Sequence, residues 1–140
     1  MRHRLGMAAA VPVAAVLVVV LAGGLAGCTG PDVTFEKVRG LPTEVPVSDA
    51  AVSEATPIAV ARGTDQLVVV AWGSSTCPPM PTAISTAEPT PKITFASGSG
   101  TCTDDLAPTS FVFPRDELGG QLPAKVVVVV DGTATELAVR

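Results

Sequence analysis

Residues 125–139 read KVVVVVDGTATELAV, and this stretch decides the fold class. Two segments rich in β-branched residues flank Asp131-Gly132, a dipeptide that accepts the positive backbone angles of a tight primed turn. Five consecutive valines are typical of a strand buried on both faces, because β-branched side chains fit a pleated surface. The stretch therefore predicts a β-hairpin whose first strand is buried on both faces.

Shorter strand signals precede this hairpin at regular intervals. They predict strands at residues 57–61, 66–72, 82–86, 92–96 and 110–113. No segment after residue 28 has a convincing helical period, and 12 of the 13 prolines lie in that part, where they disfavour long helices. We therefore predict an all-β domain, either a small antiparallel β-sandwich or a partly open barrel.

The N-terminus has the three parts of an export signal. Arg2 and Arg4 form a short positive region, and residues 7–27 are uncharged and mostly apolar. Small residues then lead into a cysteine at Leu25-Ala26-Gly27-Cys28, a pattern that resembles the lipobox of bacterial lipoprotein signal peptides at every position. The resemblance implies a diacylglyceryl group on the Cys28 thiol and cleavage between Gly27 and Cys28.

Two other interpretations of this segment stay open: an ordinary secretory signal, or an uncleaved transmembrane helix, since about 20 apolar residues can span a bilayer. All three place the later residues outside the cytoplasm. We expect a signal helix at 1–27, a lipid-anchored flexible spacer rich in Pro, Ser and Thr at 28–56, and the β domain at 57–140. Residues 33–38 have strand character, and whether they join the sheet is left open.

The three cysteines fit the same organisation. If Cys28 carries lipid, Cys77 and Cys102 form an even pair, and an oxidising compartment favours a disulfide between them. The alternative is a two-cysteine metal site. The one histidine, His3, lies in the predicted signal and could not complete it. The sequence therefore predicts a disulfide and no metal site.

Charge and composition exclude several function classes. Two of the nine basic residues, Arg2 and Arg4, lie in the predicted signal, which leaves seven against 13 acidic residues. This balance disfavours nucleic acid and anionic lipid as partners. Without histidine or tyrosine after residue 28, no nucleophile and base can be combined. We expect neither an enzyme nor a cofactor.

Two segments flank the predicted disulfide. Residues 72–78 read WGSSTCP and residues 102–109 read CTDDLAPT. Together they resemble small exported proteins of high-GC Gram-positive bacteria. The resemblance covers roughly residues 66–114 and implies no activity.

A disulfide would bring the turn at 74–81 close to the turn at 102–108. Rigid loops on a sheet scaffold are where binding residues collect. The candidate binding patch consists of Trp72, Ser74, Ser75, Asp104 and Asp105. The alternative is that this region is only a well-packed end of the sandwich, held by the disulfide, with no ligand. For the protein as a whole we favour a membrane-anchored binding or accessory module, with an envelope protein or polymer as partner, over a structural or protective surface protein.

Overall fold

The structure, a computed structural model, describes residues 32–46 and 55–140. The predicted signal, the predicted cleavage site after Gly27 and the predicted lipidation site Cys28 lie outside the described residues. Two four-stranded sheets pack against each other around one main core, and they do not close into a barrel. The all-β sandwich predicted from the sequence is confirmed. Within the described part, no helix is long and apolar enough to cross a membrane.

The described residues form eight strands and one short 3₁₀ helix. The strands are β1 (Glu36–Arg39), β2 (Ile58–Arg62), β3 (Gln66–Gly73), β4 (Met80–Ser85), β5 (Lys92–Ala96), β6 (Ala107–Pro114), β7 (Lys125–Val130) and β8 (Thr133–Ala138), and the 3₁₀ helix is Arg115–Leu118. The first sheet has the order β1-β6-β3-β2 and the second has the order β4-β5-β7-β8. Every strand predicted from the sequence is present.

One strand pairing departs from the predicted antiparallel arrangement. β5 and β7 are parallel, with Lys92 opposite Val127 and Phe95 opposite Val130. A parallel pair requires a long connection that returns the chain to the same end of the sheet. Here β6 and the 3₁₀ helix provide that connection by passing through the first sheet and back.

The hairpin of β7 and β8 has the predicted tight turn. Asp131 and Gly132 have φ angles of 48° and 84°, both in the left-handed region. The valines of β7, however, are not all buried. Val126 and Val128 are fully buried, whereas Val127 and Val129 are half-buried on the opposite face. The prediction of double burial is wrong for β7, because only its inner face meets the first sheet.

β3 is instead the strand that is buried on both faces. Leu67, Val69 and Ala71 face the main core between the sheets. Val68 and Val70 face a second apolar cluster on the outer side of the first sheet. All five side chains are at most 1% exposed. β3 also pairs with β2 along one edge and with β6 along the other, so both its faces and both its edges are covered.

The second cluster is covered by the chain that follows β1. Val45 is 6% exposed within it, and Leu41 packs at its side. Glu44 forms an ion pair with Arg62 of β2 at 2.8 Å, and the bond to that guanidinium lowers the pKa of the Glu44 carboxyl. The buried Ser110 hydroxyl donates to the Gly40 carbonyl at 2.6 Å. These contacts tie the segment to the first sheet.

The predicted spacer therefore needs correction. β1 pairs with β6, so the strand left open by the sequence does join the sheet. The Phe35 ring lies 5.8 Å from that of Phe111 and 6.1 Å from that of Phe113. A spacer through residue 56 is wrong for residues 33–46, because these residues bury apolar surface that a linker would leave in water. Residues 47–54 lie outside the described residues.

The two ends of the sandwich differ in what they carry. At one end, Gln66 lies opposite Pro114, and the 3₁₀ helix lies close to the end of β4. We call this the helix end; it includes residues 62–66, 86–91 and 115–124. At the other, Gly73 lies opposite Ala107, next to both cysteines. We call this the disulfide end.

Replacement of Phe35 tests whether the N-terminal segment belongs to the folded domain. We expect Phe35→Ala to lower the free energy of unfolding by about 2 kcal/mol, less than for a fully buried ring, because its contacts with Phe111 and Phe113 are lost. Thr34→Ala, at an exposed neighbour, should change stability by less than about 0.5 kcal/mol. Equal stability of the two variants in urea titration would contradict the assignment.

Candidate functional site

A disulfide joins Cys77, in the turn after β3, to Cys102, in the loop before β6. The two Cα atoms are 5.3 Å apart, a usual separation for bonded cysteines. The predicted pair is confirmed. The bond crosses from the turn that leaves the first sheet to the loop that returns to it from the second. It therefore fixes both turns of the predicted patch in one place.

Two glycines allow the chain to pack closely around this disulfide. A Cβ atom on Gly73 would lie 2.5 Å from Cδ of Pro79, and one on Gly98 would lie 2.6 Å from the Cys77 carbonyl oxygen. Both distances are shorter than real Cβ contacts. The Cβ on Gly98 would clash with a backbone atom, which cannot move away as a flexible side chain can. The turn after β3 therefore folds back on its own strand, and the loop after β5 lies directly on Cys77.

The hydroxyl of Thr103 is the centre of a hydrogen-bond network. Its Oγ1 lies 2.9 Å from Oγ of Ser74, 3.2 Å from Oγ of Ser75 and 3.3 Å from Oγ1 of Thr76. It also donates to the carboxylate of Asp105. We call Ser74, Ser75, Thr76, Thr103 and Asp105 the hydroxyl cluster. A hydroxyl has one proton and two lone pairs, so three neighbours compete for two acceptor positions on Thr103.

Asp105 ties the two turns together as an acceptor. Its Oδ1 accepts the backbone N–H of Ser75 at 3.0 Å in addition to the Thr103 hydroxyl. The bond from Thr103, followed by bonds from the Ser75 backbone and side chain, lowers the pKa of Asp105 to about 2. The carboxylate stays ionised at neutral pH, where it is a weak base. It therefore orders donors and holds a fixed negative charge.

The structure separates the five residues of the predicted patch. Ser74, Ser75 and Asp105 come together in the hydroxyl cluster, while Asp104 is exposed and outside the network. Trp72 points to the outer side of the first sheet, where it is half-buried against the second apolar cluster. Its Nε1 is buried, with no hydrogen-bond partner among the described residues. Trp72 therefore belongs to the packing rather than to the hydroxyl cluster.

Two members of the hydroxyl cluster were missed in the sequence, Thr76 and Thr103. Each is the neighbour of a disulfide cysteine, and the Thr103 N–H donates to Oγ1 of Thr76 at 3.0 Å. The signal was present, because a predicted bond between Cys77 and Cys102 also brings their neighbours together. A further residue, Leu106, follows Asp105 and is 58% exposed. The sequence alone could not predict that the Leu106 side chain is exposed or where it points.

The hydroxyl cluster offers hydrogen-bonding oxygens but few ligands for a metal. Within residues 32–46 and 55–140, no group of three or more His, Cys, Asp or Glu is placed to hold a metal ion. The only carboxylate of the hydroxyl cluster, that of Asp105, already accepts two hydrogen bonds from protein donors. The arrangement can therefore present a rigid, negatively charged surface of oxygens to another molecule.

The chain matches no protein-family model, no curated protein and no solved structure. The resemblance of its two cysteine segments to small exported proteins of high-GC Gram-positive bacteria stays a prediction. The function must accordingly be inferred from the chemistry of these residues.

Acid titration tests the role of Asp105. A carboxyl whose pKa is lowered by folding stabilises the fold above its ordinary pKa of 3.8, and this contribution is lost as pH falls towards 2. We expect Asp105→Asn to melt below the wild type at neutral pH, and the gap to close between pH 4 and pH 2. The measurement is the melting temperature against pH.

The matched control for this experiment is Asp104→Asn, which removes a neighbouring carboxylate outside the network. Its melting temperature should follow that of the wild type at each pH. A gap for Asp105→Asn that stays constant down to pH 2 would show that the carboxylate does not order the two turns.

Proposed function

We propose that this chain is an exported lipoprotein, held on the extracytoplasmic face of the cell membrane by a diacylglyceryl group on Cys28. The observation that carries the proposal is the lipobox pattern at residues 25–28, after an apolar segment and two arginines. The disulfide supports it in two ways. It suits an oxidising compartment, and it uses Cys77 and Cys102, which leaves Cys28 as the one cysteine for lipid.

Fatty-acid labelling tests the anchor. The wild type should incorporate labelled palmitate and partition into detergent, and Cys28→Ala should abolish both, because Cys77 and Cys102 are bonded to each other and leave no free thiol to carry the lipid. The double variant Cys77→Ala, Cys102→Ala is the matched control and should keep the label. Labelling that persists in Cys28→Ala would refute the lipoprotein proposal. A labelled protein that still carries residues 1–27 would refute only the cleavage.

For the molecular role, we propose a binding or accessory module of the cell envelope that uses the disulfide end as its contact surface. The disulfide and the hydroxyl cluster hold this surface in one conformation, so little ordering entropy is lost when a partner binds. Leu106 gives it an exposed apolar side chain next to the fixed charge of Asp105. An apolar contact surrounded by polar groups is a common arrangement in protein interfaces.

The second candidate is a structural or protective surface protein without a discrete ligand. One observation favours it: the hydroxyls of Ser74, Ser75 and Thr76 already bond to Thr103. Hydroxyls that satisfy one another's hydrogen bonds need no ligand. The role of such a network can be simply to close the end of a small sandwich.

The two candidates differ in the effect of replacing Leu106. Truncation of a central residue of an interface, one of the minority that dominate binding, costs more than about 1 kcal/mol, so Leu106→Ala should lower the yield of cross-linked partner in native membranes several-fold. The melting temperature should stay unchanged, because the side chain is mostly exposed. Val38→Ala is the matched control, at the other exposed large apolar residue of the described part, and it should keep every cross-link.

Ser75→Ala completes the comparison, because it removes a hydroxyl from the cluster without changing Leu106. If all cross-links survive in both Leu106→Ala and Ser75→Ala while Ser75→Ala melts several degrees lower, the disulfide end is structural. That result would overturn the binding module in favour of the second candidate.

A further inference from the structure

Very little chain separates Cys28 from the packed part of the domain. Val33 packs against the main core, and Phe35 contacts Phe111 and Phe113. Only residues 29–32 lie between Cys28 and Val33. Five extended residue steps span at most about 18 Å, whatever conformation they adopt. A lipid on Cys28 therefore holds the domain close to the bilayer.

The direction of β1 decides which end of the domain is near this tether. β1 begins with Glu36 opposite Val112 and finishes with Arg39 opposite Thr109. β6 runs the other way, from the disulfide end at Ala107 to the helix end at Pro114. The chain therefore enters the sandwich from the helix end and runs towards the disulfide end.

We infer that the anchored domain keeps its helix end towards the membrane and presents the disulfide end away from it, an inference that rests on the proposed lipid at Cys28. β3 has eight residues between the two ends, which corresponds to roughly 23 Å. The turn that contains Ser74 and Cys77 extends beyond the last residue of β3. With the disulfide end against the membrane, the 18 Å tether would not reach the lipid.

The surface of the helix end fits this position next to lipid headgroups. Its exposed side chains include Arg115 and Asp116, which form an ion pair at 3.8 Å, and the neighbouring Glu117 is half-buried. The two exposed large apolar residues of the described part, Val38 and Leu106, lie on β1 and at the disulfide end. The helix end therefore meets the headgroup layer as a polar surface of mixed charge, without inserting apolar side chains.

Energy transfer to the membrane surface tests this orientation. The full-length, acylated protein is reconstituted in phosphatidylcholine vesicles that contain a headgroup-labelled acceptor lipid. A donor dye is attached to one added thiol, in Gln121→Cys at the helix end or in Thr133→Cys beside the Asp131 turn. That turn lies at the disulfide end, because Asp131 accepts the Ser97 N–H at 2.9 Å and the next residue, Gly98, lies against Cys77. Both positions are exposed, and the native disulfide leaves no competing thiol in the described part.

We expect transfer from position 121 to be roughly twofold or more above transfer from position 133, because the two dyes differ in height by about 20 Å. Insertion of a long Gly/Ser segment between Gly30 and Pro31 is the matched control and should remove most of the difference. Unchanged melting temperatures would show that both labelled variants are folded.

The outcomes separate this inference from the proposal on which it rests. Wild-type protein that carries no lipid and does not float with the vesicles would overturn the lipoprotein proposal and the orientation with it. Protein that floats but shows equal transfer from the two positions, or more from position 133, would overturn the orientation alone.

Discussion

Burial of β3 on both faces is the constraint on which the rest of this structure depends. One face, Leu67, Val69 and Ala71, belongs to the core between the two sheets, as in any sandwich. The other face, Val68 and Val70, would lie in water if the first sheet ended the domain. Covering that face requires apolar residues from elsewhere, and the chain after β1 supplies them with Leu41 and Val45. The N-terminal segment is therefore part of the fold because the central strand is too apolar to be left uncovered.

This requirement connects the core to the proposed lipid anchor. Since residues 33–46 must return to the first sheet, they cannot act as the long spacer that their composition suggests. With the proposed lipid on Cys28, the length of chain left before Val33 is then too short to allow the domain to turn over on the membrane. The same pairing of β1 with β6 that extends the first sheet also sets the direction in which the chain enters it. Packing, topology and the proposed orientation thus share one cause, the apolar character of residues 67–71.

Local sequence patterns predicted the strands and the disulfide well, because alternation, turn dipeptides and cysteine number are local or countable properties. The sequence patterns failed where burial or pairing depends on which distant part of the chain packs against a residue. The valines at 126–130 look more apolar than residues 67–71, yet only the latter are covered on both sides, since β3 is central and has a chain segment over its outer face. The parallel pairing of β5 and β7 and the central role of Thr103 were invisible for the same reason: both arise from long-range neighbours. The sequence placed Asp105 in a candidate binding patch. In the structure its carboxylate accepts hydrogen bonds from Ser75 and Thr103, so it first has a role within the fold.

The disulfide end satisfies two requirements that are often opposed. A small domain needs its chain ends and turns held in place, and here the disulfide, the close approach of Gly98 to Cys77 and the hydroxyl cluster do so together. A contact surface needs the same rigidity, because a turn that must be ordered on binding weakens the complex. The polar oxygens of this end bond mainly to one another, so they define its shape and charge. The exposed large apolar side chain of this end is that of Leu106, beside the ionised Asp105. In the proposed interface, stability and recognition therefore need not compete, since the hydroxyl cluster holds the two turns while Leu106, outside that network, supplies the apolar contact.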